Sequence, residues 1–243
     1  PGSSRSESYR AVRTALYFST RGEEHTVFQV TSPNAGDGKT TLASNLAISF
    51  AQTGDRTLLI DADLRKPRVH RLFALDAENG LAAVIDGAVD VADAIVESAV
   101  PGLHLLPAGK TPRNPAELLT KPRFQELINL VRDQYDYVIV DTPPLLAVTD
   151  PCVVAPRVDG VLLTIRITKQ GRPQAERAKA ILSSLKTKLL GVVVNDADDA
   201  LRGAGYGYGY GYGRNYNAPY GQQTGERKAK GIKRVLSDAL RDN

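Results

Sequence analysis

The run Gly36-Asp37-Gly38-Lys39-Thr40-Thr41 places two glycines, a lysine and two hydroxyls where a hydrophobic stretch, Val27–Thr31, gives way to a helical pattern. Glycine tolerates positive φ and close approach, so backbone N–H groups at Gly36 and Gly38 can wrap phosphate oxygens while the helix start adds a favourable dipole. Lys39 is then placed to reach a β- or γ-phosphate and the Thr40 hydroxyl to ligate a divalent cation, with Asp37 and Thr41 completing the expected nucleotide contacts. Two further apolar runs end in carboxylates: Leu58-Leu59-Ile60-Asp61-Ala62-Asp63 and Val138-Ile139-Val140-Asp141. Asp61 and Asp63 leave the first run at period two and so share an orientation. Carboxylates facing a metal and a phosphate can divide metal binding from proton acceptance, and the chemistry this predicts is phosphoryl transfer or hydrolysis.

A possible acceptor lies downstream. Of ten tyrosines, six (Tyr206, Tyr208, Tyr210, Tyr212, Tyr216 and Tyr220) fall within fifteen residues and alternate with glycine through the first four. Half glycine and without aliphatic residues over its alternating stretch 205–213, this segment predicts a flexible tail with accessible phenols. Asn195 closes another apolar run, Leu189–Val194; its amide suits both hydrogen-bonding edges of a purine, and it suits a turn equally. His25, His70 and His104 have no metal or triad spacing, and the single cysteine, Cys152, reads as a small buried thiol in a reducing compartment.

The elements that must position these residues are legible as alternation. Residues 27–31, 57–61, 103–106, 137–141, 161–165 and 189–194 read as buried strands. Helical periodicity lies between them at Thr41–Gln52, Phe124–Asp133 and Gln174–Leu185. This predicts an α/β fold of the P-loop NTPase kind, a largely parallel sheet covered on both faces, with ligands at the carboxyl ends of the strands where Ser32, Asp61 and Asp141 stand. An N-terminal helix is expected over Ser6–Phe18. Ile232, Val235, Leu236, Ala239 and Leu240 repeat with the period of an amphipathic C-terminal helix. The organisation that follows is a domain over 1–202, a Gly/Tyr-rich acceptor segment over 203–225 and a basic helix over 226–243.

With 42% hydrophobic and 24% charged residues the composition is that of a globular chain, and no apolar run reaches the roughly 18 residues of a membrane span. The net charge of +4 sits at the C-terminal end: residues 1–202 balance 24 basic against 24 acidic side chains, whereas 226–243 carry six against three. Pro1-Gly2-Ser3-Ser4 reads as a cloning remnant, which makes the chain readable as a soluble piece of a longer protein, membrane segments included.

Glu7-Ser8-Tyr9-Arg10-Ala11-Val12-Arg13-Thr14, Ser32–Thr41, Leu58–Pro67, Val138–Pro143 and the tyrosine cluster together resemble the cytoplasmic kinase domain of bacterial tyrosine kinases, autokinases tied to capsule and exopolysaccharide export. No His-Arg-Asp or Asp-Phe-Gly element of the eukaryotic kinases occurs. The resemblance implies transfer of the γ-phosphoryl of Mg·ATP to the tail tyrosines. Lys39 would steady the phosphoryl group, Thr40, Asp61 and Asp141 would organise Mg²⁺, and Asp61 or Asp63 would take the phenolic proton. It further implies that Glu7, Arg10 and Arg13 lie in a subunit contact of a ring-like homo-oligomer in which one tail enters the next subunit's site. Its partners would be a membrane-spanning activator, separate or fused, and export machinery at the cytoplasmic face of the inner membrane. From the residues alone, Glu7 and Arg10 read as a local helix-surface ion pair worth about 0.2–0.5 kcal/mol. Two rival readings stand beside it. A ParA/MinD-like ATPase switch would carry lysine five residues before Lys39, where this chain has Asn34. A single-stranded nucleic-acid module would use the tyrosines for stacking, but the tyrosine stretch holds a single arginine, so nucleic acid is not expected.

Overall fold

A computed structural model of the chain describes residues 4–20, 27–76, 78–168 and 171–195. The elements in order are α1 (Ser4–Thr20), β1 (Val27–Thr31), α2 (Lys39–Ala51), β2 (Thr57–Asp61), α3 (Val69–Leu72), α4 (Leu81–Asp86), α5 (Val91–Ala94), β3 (Val96–Glu97), β4 (Leu103–Leu106), α6 (Pro115–Thr120), α7 (Pro122–Gln134), β5 (Tyr137–Asp141), α8 (Asp150–Val154), β6 (Gly160–Arg166), α9 (Gly171–Ser184) and β7 (Leu189–Asn195). The six expected strands form within a residue or two of their predicted bounds. The seventh, β3, is a two-residue edge strand too short to leave a pattern. The sheet runs β3-β4-β2-β5-β1-β6-β7, parallel throughout except where β3 meets β4. The tyrosine segment and the basic C-terminal helix lie outside the described residues.

Side chains alternate across the strands, so each buried strand feeds two cores. Leu58, Ile60, Val138 and Val140 face Phe124, Leu127, Ile128 and Val131 of α7. Phe28, Val30, Leu59 and Ile139 face Leu42, Leu46 and Phe50 of α2, where Leu16 of α1 also packs. A third cluster joins Val161 and Leu163 of β6 to Ala178 and Leu182 of α9. The architecture is a three-layer α/β/α sandwich. Helix α1 extends two residues past the expected Ser6–Phe18 at each end, and its Tyr9–Val12–Leu16 stripe docks on its own domain. Among the described residues no helix is long and apolar enough to cross a membrane.

Strand register builds the site. Asp61 and Asp141 are direct partners across β2 and β5, and Val30 pairs with Asp141 across β1 and β5. The loop leaving β1 therefore emerges beside both carboxylates.

Candidate active site

Residues 32–38 turn from β1 into α2. Gly36 has φ +90° and Gly38 φ +96°, the left-handed region in which a Cβ is strained. The loop is closed from within: the Asn34 N–H donates to Asp37 Oδ2 at 2.9 Å and the Ser32 hydroxyl to the Asn34 carbonyl at 2.7 Å. Asp37 is thereby buried, and burial pushes its carboxyl up against the lowering effect of that N–H bond. The loop is also held from outside. Asn195 at the end of β7 donates its amide to the Asp37 carbonyl at 2.8 Å and lies 3.2 Å from the Thr164 hydroxyl. Asn34 Nδ2 donates to Gln174 Oε1 of α9 at 2.7 Å. Gly38 leads into α2 in the left-handed conformation with no side-chain cap, so the first-turn amides of α2 lack that competitor for an anion.

Lys39 Nζ sits 2.8 Å from Asp63 Oδ2, 3.2 Å from the Thr40 hydroxyl and 3.8 Å from Asp141 Oδ1. The three aspartates differ in what they hold. Asp61, at 0% exposure, accepts backbone N–H groups from Asp63 (3.2 Å), Arg68 (3.0 Å) and Val69 (3.0 Å), pinning the turn from β2 to α3. Asp63 accepts the Lys66 N–H on Oδ1, at 3.0 Å, which orients Oδ2 toward Lys39. Asp141, also at 0% exposure, has two buried oxygens without a well-formed hydrogen bond. Burial pushes Asp141 up to about 7, with Lys39 pulling it down and Asp61 adding to the rise. Asp61 is pushed up to about 6, again by burial, against its backbone N–H donors. Lys39 is held above the ordinary lysine value because Asp141 and Asp63 together outweigh its own desolvation.

Residues 26–172 match the AAA domain family. The tyrosine-protein kinase YwqD of Bacillus subtilis is 42% identical over 195 residues, 80% of this chain and 82% of that protein. The chain belongs to the bacterial tyrosine-protein kinases. The solved kinase domain of the Escherichia coli tyrosine kinase ETK superposes on this bacterial tyrosine kinase with a TM-score of 0.75 at 33% identity, covering 85% of this chain and 80% of that one. The Pyrococcus furiosus cell division ATPase MinD, at 22% identity, TM-score 0.61 and 70% coverage of this chain against 71% of its own, shares the fold.

Of the residues the kinase motifs singled out, Gly36, Asp37, Gly38, Lys39, Thr40, Asp61, Asp63 and Asp141 converge on one end of the sheet, with Thr41 on the first turn of α2. Asn195 joins them, but its donor half is committed to the loop, which leaves only its amide oxygen for a purine. Asp61 likewise has both oxygens engaged by amides. At the other end of α2, Arg13 donates to the Ser49 carbonyl within its own subunit. Glu7 and Arg10 form an exposed ion pair at 3.3 Å, the local contact expected from their spacing. Tyr206, Tyr208, Tyr210, Tyr212, Tyr216 and Tyr220 lie outside the described residues. Gln174 and the Arg65–Asp150 pair were not foreseen. Arg65 grips the fully buried Asp150 with two bonds of 2.9 Å, tying the turn after β2 to α8, and no local spacing announces it.

Proposed function

We propose that the chain is an ATP-dependent protein-tyrosine autokinase whose acceptors are Tyr206, Tyr208, Tyr210, Tyr212, Tyr216 and Tyr220. The observation that carries this is the grouping of Lys39, Asp63 and Asp141 at the mouth of a glycine loop, with both Asp141 oxygens buried and short of a well-formed hydrogen bond while Lys39 Nζ stands 3.8 Å from one of them. A buried carboxylate short of hydrogen bonds favours a second cation once Lys39 turns to a phosphate. Mg²⁺ binds through one or two carboxylates and leaves its other positions to water and phosphate. Asp141 and Thr40 would hold it, and it would supply charge neutralisation at the β- and γ-phosphates.

Lys39 turns from Asp63 to the γ-phosphate when nucleotide enters, and the loop amides and first turn of α2 take the remaining phosphate oxygens. The phenolic oxygen of an acceptor attacks the γ-phosphorus in line. The bond to the β–γ bridging oxygen breaks and ADP leaves. Asp63, released by Lys39, accepts the phenolic proton, and Asp61 holds the turn that aims it. A phenol's ordinary pKa is near 10, so a positioned carboxylate helps even where a loose transition state lowers the demand for full deprotonation.

The same reading places the kinase in a ring-like homo-oligomer at the cytoplasmic face of the bacterial inner membrane. A membrane-spanning activator governs it, and it regulates capsule or exopolysaccharide export. Trans transfer predicts a rate per molecule that falls on dilution, and cis transfer one that does not. The test of function is incubation with ATP and Mg²⁺ followed by phosphopeptide mapping. Phosphotyrosine is expected in residues 206–220 of the wild type and absent from Lys39→Met. An unmodified tail in assembled protein that binds ATP would overturn the proposal.

A further inference from the structure

We propose that Tyr17 is a second phosphoryl-acceptor site, modified in trans, and that its phosphate draws Arg13 off the C-terminal end of α2. The inference rests on the kinase reading above. Tyr17 lies in the last turn of α1 and is 51% exposed, whereas Tyr135 is buried and Tyr9 and Tyr137 are half-buried. Among the described tyrosines it alone presents its phenol openly to solvent. Its ring meets Phe18 edge-on at 5.6 Å, and Phe18 is itself 63% exposed.

What stands beside Tyr17 gives the modification a consequence. The last four carbonyls of a helix lack partners within it. In α2, the Ile48 carbonyl is taken by the Gln52 N–H, that of Phe50 by Thr53 and that of Ala51 by Gly54. The remaining one, on Ser49, is taken by the Arg13 guanidinium. Arg13 thus caps the helix that begins at Lys39, and with Leu16 it fastens α1 there. Tyr17 is four residues beyond Arg13, on the same helical face. The same end of α2 is packed by Tyr137, whose ring stacks on Phe50 at 3.9 Å. A phosphate on Tyr17 adds about −1.5 to −2 charges one helical turn from Arg13. Arg13 offers a planar guanidinium suited to phosphate. A dianion outcompetes a neutral carbonyl for that donor.

The geometry also fixes the direction of transfer. Helix α2 has 13 residues, so at 1.5 Å per residue its two ends stand about 20 Å apart. Tyr17 lies at the far end from Lys39 and cannot enter its own site; another copy must supply the ATP site. There the Tyr17 Oη forms a bond to the γ-phosphorus, the bond to the β–γ bridging oxygen breaks, ADP departs and the phenolic proton passes to a carboxylate of that site.

The full chain is incubated with ATP and Mg²⁺, alone and mixed with isotopically labelled Lys39→Met as acceptor, whose peptides are distinguished by mass. The tryptic peptide Thr14–Arg21, which contains Tyr17 and no other tyrosine, is sequenced by mass spectrometry. Phosphate is expected on Tyr17 of Lys39→Met only when active chain is present, and Tyr17→Phe should keep tail phosphorylation while losing this peptide signal. Amide exchange in α1 should quicken about tenfold on modification, as a local opening loses one charge-assisted bond. A phosphorylated tail with Tyr17 unmodified overturns the proposal and leaves the kinase reading standing. Phosphate on Tyr17 with unchanged exchange overturns the displacement of Arg13. Phosphotyrosine nowhere overturns both readings.

Discussion

Gly38→Ala separates two demands made on one glycine. A Cβ there meets Asn195 Nδ2 at 2.3 Å and sits on a backbone at φ +96°, whereas at Gly36, with φ +90°, a Cβ meets nothing within 4 Å. The left-handed conformation costs a non-glycine residue about 1–2 kcal/mol, which both substitutions incur. The contact at Gly38 is with the end of a flexible side chain, so it is relieved by expelling Asn195. The expulsion forfeits the bonds to the Asp37 carbonyl and the Thr164 hydroxyl, about 1 kcal/mol each. Gly38→Ala should therefore cost about 3–4 kcal/mol and Gly36→Ala about 1–2. Urea unfolding with unchanged m values reads the difference of about 2 kcal/mol, which corresponds to about 4–8 °C in Tm for a chain of this size. In an Asn195→Ala background the difference should vanish. Equal costs for the two alanines in the wild type, or a gap that survives Asn195→Ala, would refute the view that Asn195 clamps the loop.

Asp61→Asn should destabilise by about 2–3 kcal/mol, because an amide cannot accept all three N–H groups now held by the carboxylate; chemical denaturation measures it. Arg65→Ala leaves the fully buried Asp150 without its cation and should cost about 3 kcal/mol, the low end for such pairs because Arg65 is 40% exposed; Asp150→Asn in the same background should recover much of it. In metal-free protein the raised carboxyls of Asp61 and Asp141 keep protons that the unfolded chain releases near 3.8. Their contribution to stability is fully present below about pH 4 and lost as pH rises through about 6 to 7. Thermal melts should show Tm falling across this window from these groups, with Asp141→Asn flattening the fall; an unchanged slope in that variant would remove the assignment.

The elements carrying chemistry were legible because each motif is local: an apolar run ends in Asp61 or Asp141, and a glycine loop follows another. What the runs conceal is their neighbours. That Asp61 lies opposite Asp141 depends on β2 and β5 pairing in that register, a contact between residues 80 apart in the chain. Asn195 could be seen as a strand-closing amide, but its donation to the Asp37 carbonyl depends on β7 ending beside the loop. Gln174 and Asp150 belong to no local pattern, so only packing reveals them. Helices α3 to α6 have four to six residues and are too short to establish a 3.6-residue period. The tertiary fold also redirects Arg13: spacing alone puts it in line with Glu7 and Arg10, yet its guanidinium turns inward to α2.

The bond between Lys39 and Asp63 has a further consequence for the order of events in phosphoryl transfer. At rest it neutralises one of three clustered carboxylates, so nucleotide enters against it: the γ-phosphate must draw Lys39 away from a partner 2.8 Å distant. Once Lys39 is drawn away, Asp63 Oδ2 is left free to accept a hydrogen bond from the phenol, so nucleotide binding itself uncovers the base. Asp63→Asn removes the competitor and the base together. ATP should bind more tightly, by up to about tenfold for the loss of one charge-assisted bond, while transfer to tyrosine slows by about 10² to 10⁴. Equilibrium titration with a non-hydrolysable ATP analogue gives the first quantity and single-turnover phosphotyrosine formation the second. If Asp63→Asn instead binds the analogue more weakly, Asp63 contributes to nucleotide binding rather than competing with it, and the proposed transfer of Lys39 from carboxylate to phosphate is wrong.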